Sequence, residues 1–135
     1  MSIYVDTSAF FAVLDADDEM HPIARREWER ALSSKEFLHT SSYVLVETSA
    51  LLQRRIGMDA LRTFTADILP VINVIWVDEG IHRSAYHALL VSSRRDISLV
   101  DCVSFETIRH LAIDQVFCFD AHFTEQGFHV LPAAG

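Results

Sequence analysis

Four carboxylates stand out by their placement. Asp6 directly follows the β-rich run Ser2-Ile3-Tyr4-Val5, and Asp120 directly follows the apolar run Val116-Phe117-Cys118-Phe119. Glu47 lies inside the apolar stretch from Val44 to Leu51, on the face that helical spacing predicts to be buried. Asp101 opens the inward face of a helix that continues through Phe105, Ile108 and Ala112. A buried carboxylate is costly unless it is paired or metal-bound, and several close together repel one another unless a hard divalent cation neutralises them. Oxygen donors of this kind suit magnesium or manganese. Zinc finds no ligand cluster: the seven histidines are scattered, with His82 and His87 five apart, and read as surface or core residues. Cys102 and Cys118 sit singly in apolar segments and read as buried free thiols of a reducing cytoplasm.

Each acid also has a purely structural use. Asp6 and Asp120 can cap the helices that follow them, and Ser98 with Asp101 has the S-x-x-D spacing of a capping box. A buried Glu47 can pair with Arg54 or Arg55, although neither stands three or four residues away. What favours one shared site over four separate roles is the set of elements that carries them.

Those elements alternate between strand and helix. The spacing predicts a strand at 2–5, a helix to Leu14, a helix from His21 to Ser33, and a short strand at Phe37-Leu38. A capped helix then runs to Ile56 with Gly57 as its stop, another spans Met58 to Leu69 and closes at Pro70, and Asn73 to Val77 is strand-like. Helices from Glu79 to Arg95 and from Ser98 to about Ala112 follow, with strands at Val116–Phe119 and Phe128–Leu131. Such alternation implies α/β architecture: a three-layer α/β/α sandwich around a central, mostly parallel sheet, in one domain over residues 1–135. In such a sheet ligands bind beyond the carboxyl ends of the strands, where Asp6 and Asp120 both stand.

The net charge of −8 argues against general electrostatic capture of nucleic acid, and two bound divalent ions would only halve it. Ten of the eleven basic residues are arginine, grouped at Arg25, Arg26 and Arg30, at Arg54, Arg55 and Arg62, and at Arg94 and Arg95. These suit either bidentate phosphate contacts or solvated helix faces. No stretch approaches the ~20 apolar residues of a membrane span. The high apolar content suggests a homodimer.

Tyr4-Val5-Asp6-Thr7-Ser8-Ala9-Phe10, Val46-Glu47, Ile97-Ser98-Leu99-Val100-Asp101-Cys102 and Phe119-Asp120-Ala121-His122-Phe123 resemble, in order and spacing, the four acidic motifs of PIN-domain ribonucleases. The likeness extends over almost the whole chain and is nearest to the compact VapC-type toxins of toxin–antitoxin pairs. The resemblance implies that Asp6, Glu47, Asp101 and Asp120 hold one or two magnesium ions, with Ser8 ordering a ligand or its water. Asp96, just upstream of the third motif, is a further candidate, and equally a solvated loop residue beside Arg94 and Arg95. The implied function is metal-dependent hydrolysis of RNA phosphodiester bonds in the cytoplasm, with a cognate antitoxin as partner. Two other readings stand beside it. A catalytically silent module acting through a protein partner needs no metal chemistry, and an aspartyl phosphatase at Asp6 lacks its general acid because Ser8 stands two residues on.

Overall fold

The computed structural model describes residues 1–133. Its sheet has five strands: β1 (Ser2–Val5), β2 (Phe37–Ser41), β3 (Asn73–Ile75), β4 (Gln115–Phe117) and β5 (Val130–Leu131). The order is β3-β2-β1-β4-β5 and every pairing is parallel, with Val5 opposite Phe117 and Tyr4 opposite His39. Parallel pairing demands a crossover between strands, and helices supply it. They are α1 (Thr7–Leu14), α2 (His21–Ser33), α3 (Ser42–Arg55), α4 (Met58–Thr63), α5 (Glu79–Ser92), α6 (Leu99–His110) and α7 (Ala121–Glu125). The sandwich expected from the alternation is therefore present, with a fully parallel sheet.

The central strand β1 reads apolar on both faces, as a strand covered on both sides must, and Ile3, Tyr4 and Val5 are all buried. The Tyr4 hydroxyl reaches Ser104 at 2.7 Å, so its polar end is satisfied inside the core. Phe10 of α1 meets Phe64 edge-on at a ring separation of 5.1 Å, and alanines 9, 12, 24 and 31 are buried in α1 and α2, which pack together. Thr48 of α3 donates to Thr7 at 3.2 Å and Thr40 of β2 donates to the Val5 carbonyl at 2.8 Å. These buried hydroxyl contacts tie α3 and β2 to the strand end that carries Asp6.

Several element ends differ from the sequence expectation, each for a visible reason. The expected helix from Met58 to Leu69 is α4 followed by a π turn over Phe64–Ile68 and a 3-10 turn over Leu69–Val71. The wider turn keeps Phe64 and Ile68 buried, and Pro70, lacking an amide hydrogen, closes it. Helix α5 stops at Ser92 because the Ser92 and Ser93 hydroxyls bond back to the Leu89 and Leu90 carbonyls, and Ser93 takes a left-handed φ of 53°. Strand β2 runs on to Ser41, whose side chain also caps α3 by accepting from Val44 N–H at 3.2 Å. Strand β3 ends at Ile75 because Val77 N–H donates to the Ser42 hydroxyl, and β4 ends at Phe117 because Phe119 N–H turns to Ser8. Phe128 closes α7 through the Phe123 carbonyl, so β5 is shorter than the apolar run.

Candidate metal centre

The site grows from the carboxyl ends of β1 and β4, which the sheet order places side by side. Asp6 leaves β1 with its N–H on the Phe117 carbonyl at 3.0 Å, then caps α1. Its Oδ2 accepts from the Ser8 N–H at 3.2 Å and the Ser8 hydroxyl at 2.7 Å, and the same hydroxyl accepts from Phe119 N–H at 2.9 Å. Ser8 thus locks the β1 end to the β4 end and fixes the rotamer of Asp6. Asp6 is only 4% exposed, and burial is the main reason its carboxyl is pushed up to about 7. The Ser8 hydrogen bonds oppose that rise, whereas the neighbouring charges of Asp101 and Asp120 add to it.

Asp101 sits in the first turn of α6 as half of a capping box. Its Oδ2 accepts from Ser98 N–H at 3.2 Å while its own N–H donates to the Ser98 hydroxyl at 3.0 Å. Burial holds its carboxyl above the ordinary range; the bond from Ser98 N–H pulls the other way and the charge of Asp120 pushes it further up. Capping and site-building therefore coexist in one residue. Replacing Ser98 by alanine removes the cap acceptor and is expected to cost about 1 kcal/mol of stability, read from urea denaturation. An unchanged midpoint would mean that the box contributes nothing.

Asp120 caps α7, accepting from His122 N–H at 2.9 Å. His122 comes with it: Nδ1 lies 2.9 Å from Asp120 Oδ1 and 3.7 Å from Asp101 Oδ2, and Nε2 lies 3.2 Å from Asp96 Oδ2. One ligand atom each from Asp101, Asp120 and His122 fall within 4.8 Å of one another. Burial works against the imidazolium, but the bond to Asp96 and the charges of Asp120, Asp101 and Asp96 outweigh it and hold the ring above its usual pKa. Asp96 is exposed, and its pairing with Arg94 keeps it well below the usual carboxylate range. Phe123, the residue after His122, is fully buried against Phe105 of α6 at 5.1 Å, which fastens α7 to the helix that carries Asp101.

Glu47 corrects one expectation. It is half-buried, not buried, and lines one groove with Thr7, Ala50, Leu51 and Arg54 and another with Tyr43, Val46 and Val100. The buried line of α3 runs through Val44, Thr48 and Leu52, so the helix face is rotated from the one the sequence spacing suggests. Among the described residues Glu47 forms no ion pair with Arg54 or Arg55.

The PIN domain family matches residues 3–128. The chain belongs to that family. The 23S rRNA-specific endonuclease VapC20 of Mycobacterium tuberculosis is 35% identical over 127 residues, covering 93% of this chain and 95% of that protein. The crystal structure of VapC20, a sarcin-ricin loop cleaving toxin, matches with a TM-score of 0.83 over the same shares of the two chains. FitAcB from Neisseria gonorrhoeae has a TM-score of 0.69 at 14% identity, covering 95% of each chain. VapBC2 from Rickettsia felis, bound to a promoter DNA fragment, has a TM-score of 0.71 at 10% identity, covering 96% of this chain and 97% of that one. These last two share the fold.

PIN domain nucleases use a divalent metal, and the donors of this PIN domain suit one. Three clustered carboxylates repel one another, and the buried Nδ1 of His122 has no hydrogen-bond partner despite its short distance to Asp120. Opposite ligands of one octahedral magnesium ion lie ~4.2 Å apart, so a 4.8 Å cluster needs only small side-chain shifts to close on it. His122 is the member of this cluster that the sequence does not single out, since it is one of seven scattered histidines. The available signal was the D-x-H spacing after an apolar strand, since the second residue past an N-cap lies back over the cap.

Proposed function

We propose that this PIN domain is an endoribonuclease toxin of the cytoplasm. It hydrolyses RNA phosphodiester bonds with magnesium, or manganese, held by Asp6, Asp101 and Asp120 together with Glu47 at the rim, and with Ser8 and Asp96 as supporting residues. The observation that carries this reading is the meeting of Asp6, Asp101 and Asp120 at one rim of the sheet, each carboxylate fixed by its own hydrogen bond. The substrate class follows from the likeness to VapC20, whose name specifies 23S rRNA.

A divalent ion bound there supplies an activated water and offsets the charge that develops on the phosphoryl and leaving oxygens. The chain's own residues do the positioning. Ser8 and Ser98 hold the Asp6 and Asp101 carboxylates in place, and Phe123 seats Asp120 against α6. Arg25, Arg30, Arg62, Arg83 and Arg94 are engaged in ion pairs, whereas Arg54, Arg55 and Arg95 are exposed and form none among the described residues. Arg54 shares a groove with Glu47 and Thr7, where its guanidinium can meet a backbone phosphate.

Because water is the nucleophile, the 2′-hydroxyl is not consumed, and the products carry 5′-phosphate and 3′-hydroxyl ends. The test incubates the purified protein with intact ribosomes and with naked 23S rRNA, in magnesium or EDTA, and analyses the cleaved ends. Cyclic phosphate ends, or cleavage that persists in EDTA, would overturn the metal mechanism.

The partners in this reading are a cognate antitoxin, whose tail covers the acidic pocket with an arginine, and a second copy of the chain. Exposed Tyr86 and Leu90, one turn apart on α5, give an apolar surface that suits the second copy. Sedimentation at micromolar concentration is expected to give a dimer. No helix among the described residues is long and apolar enough to cross a membrane. Cys102 and Cys118, both buried and free, suit a reducing compartment.

A further inference from the structure

We propose that His122 is a nitrogen ligand of the metal centre, so that this chain offers a mixed nitrogen and oxygen donor set instead of carboxylates alone. The inference rests on the metal-centre reading and adds a ligand to it.

Three observations support it. Nδ1 of His122 is shielded from solvent and has no hydrogen-bond partner, although Asp120 Oδ1 lies 2.9 Å away and Asp101 Oδ2 3.7 Å away. The opposite nitrogen, Nε2, faces Asp96 Oδ2 at 3.2 Å. Asp96 is itself gripped on both oxygens by Arg94, at 3.0 Å from Nε and 2.6 Å from Nη2, and Arg94 is braced by Glu125 at 3.1 Å.

The consequence is chemical. A neutral imidazole that donates its Nε2 hydrogen to a carboxylate carries a lone pair at Nδ1, the arrangement by which metal-bound histidines are oriented. That lone pair faces the same point as two carboxylates, at 2.9 Å from Asp120 Oδ1 and 3.7 Å from Asp101 Oδ2, so a cation there would be shared by all three. The ligand atoms of Asp101, Asp120 and His122 already lie within 4.8 Å of one another. Asp96 and Arg94 are then positioning residues that fix the tautomer and the angle of the ring. An imidazole ligand raises affinity for later first-row ions more than for magnesium, so this centre discriminates more strongly for cobalt over magnesium than an all-carboxylate one.

The full-length protein provides the test without any substrate. Pulsed electron paramagnetic resonance on the manganese-loaded wild type is expected to show nitrogen hyperfine coupling from a bound imidazole. His122→Ala should abolish that coupling, while His110→Ala, on the exposed end of α6, should retain it. By calorimetry, His122→Ala should lower cobalt affinity by about tenfold or more and magnesium affinity by less than about threefold. Asp96→Asn should keep the coupling and weaken cobalt binding by about tenfold. Thermal melts establish that each variant is folded, and the wild-type spectrum does not depend on them. Metal bound by wild type without nitrogen coupling overturns this inference alone. Failure of wild type to bind any of the three ions overturns the metal-centre reading and this inference with it.

Discussion

Asp101→Asn and Asp6→Asn, each alone, are expected to reduce RNA cleavage by about a thousandfold or more, some 4 kcal/mol of lost transition-state stabilisation, while the protein stays folded. Asparagine keeps the shape and the capping oxygen of each residue, so α1 and α6 retain their N-terminal acceptors. What disappears is a negative charge at the point where Asp6, Asp101 and Asp120 act on one another. Glu47→Gln is expected to be milder, about tenfold, because Glu47 is only half-buried and lines open grooves, where solvent can replace part of its contribution. The measurement is a single-turnover cleavage rate in saturating magnesium, beside circular dichroism of each variant. Full activity in both Asp variants would remove the carboxylate site. It would favour the silent binding module, which loses nothing when Asp6 is neutralised.

The same Asp6→Asn substitution is expected to stabilise the metal-free protein even as it removes activity. Asp6 has a carboxyl raised from 3.8 to about 7, chiefly by burial, so the folded state holds its proton where the unfolded state has released it. Stability contributed by that proton is present below pH ~4 and lost as pH rises towards 7; a raised acid therefore makes the metal-free fold weaker at neutral pH. At ~1.4 kcal/mol per pKa unit, the rise corresponds to about 4 kcal/mol at and above pH 7. Asp6→Asn, which titrates nowhere in that window, should flatten the pH dependence and melt higher in EDTA at pH 7.5. Magnesium should narrow the gap. Binding only the folded site, it stabilises wild type by ~2.7 kcal/mol at a hundredfold excess over its dissociation constant, and the variant by much less. Melts of wild type, Asp6→Asn, Asp101→Asn and Glu47→Gln, each in EDTA and in magnesium, read both effects. If magnesium raises all four equally, the carboxylates do not share one metal site.

Some of this molecule is written in local sequence. Period-two and period-3.6 apolar patterns, with Ser, Asp and Gly at their ends, are enough to place every strand and most helices. They also set Asp6 and Asp120 at strand ends, because that depends only on which residues follow an apolar run. The S-x-x-D spacing likewise marks Asp101 at a helix start, and the capping box is there. Where segments stop is less local: β3 and β4 end where Val77 and Phe119 find serine hydroxyls on other elements, partners that no window of neighbouring residues contains.

The composition of the centre is decided further from the chain. Asp6, Asp101 and Asp120 become neighbours only because the order β3-β2-β1-β4-β5 sets the β1 end beside the β4 end and packs α6 over them. Glu47 sits on the rim because the rotation of α3 about its axis is set by its packing, including the buried Thr48–Thr7 contact, and not by its own apolar spacing. His122 enters because Phe123 locks into Phe105, and Asp96, from the segment after α5 and held by Arg94, then reaches its far nitrogen. Local patterns report the preferences of a backbone and its nearest side chains, whereas distances between residues a hundred positions apart are outcomes of packing the whole core.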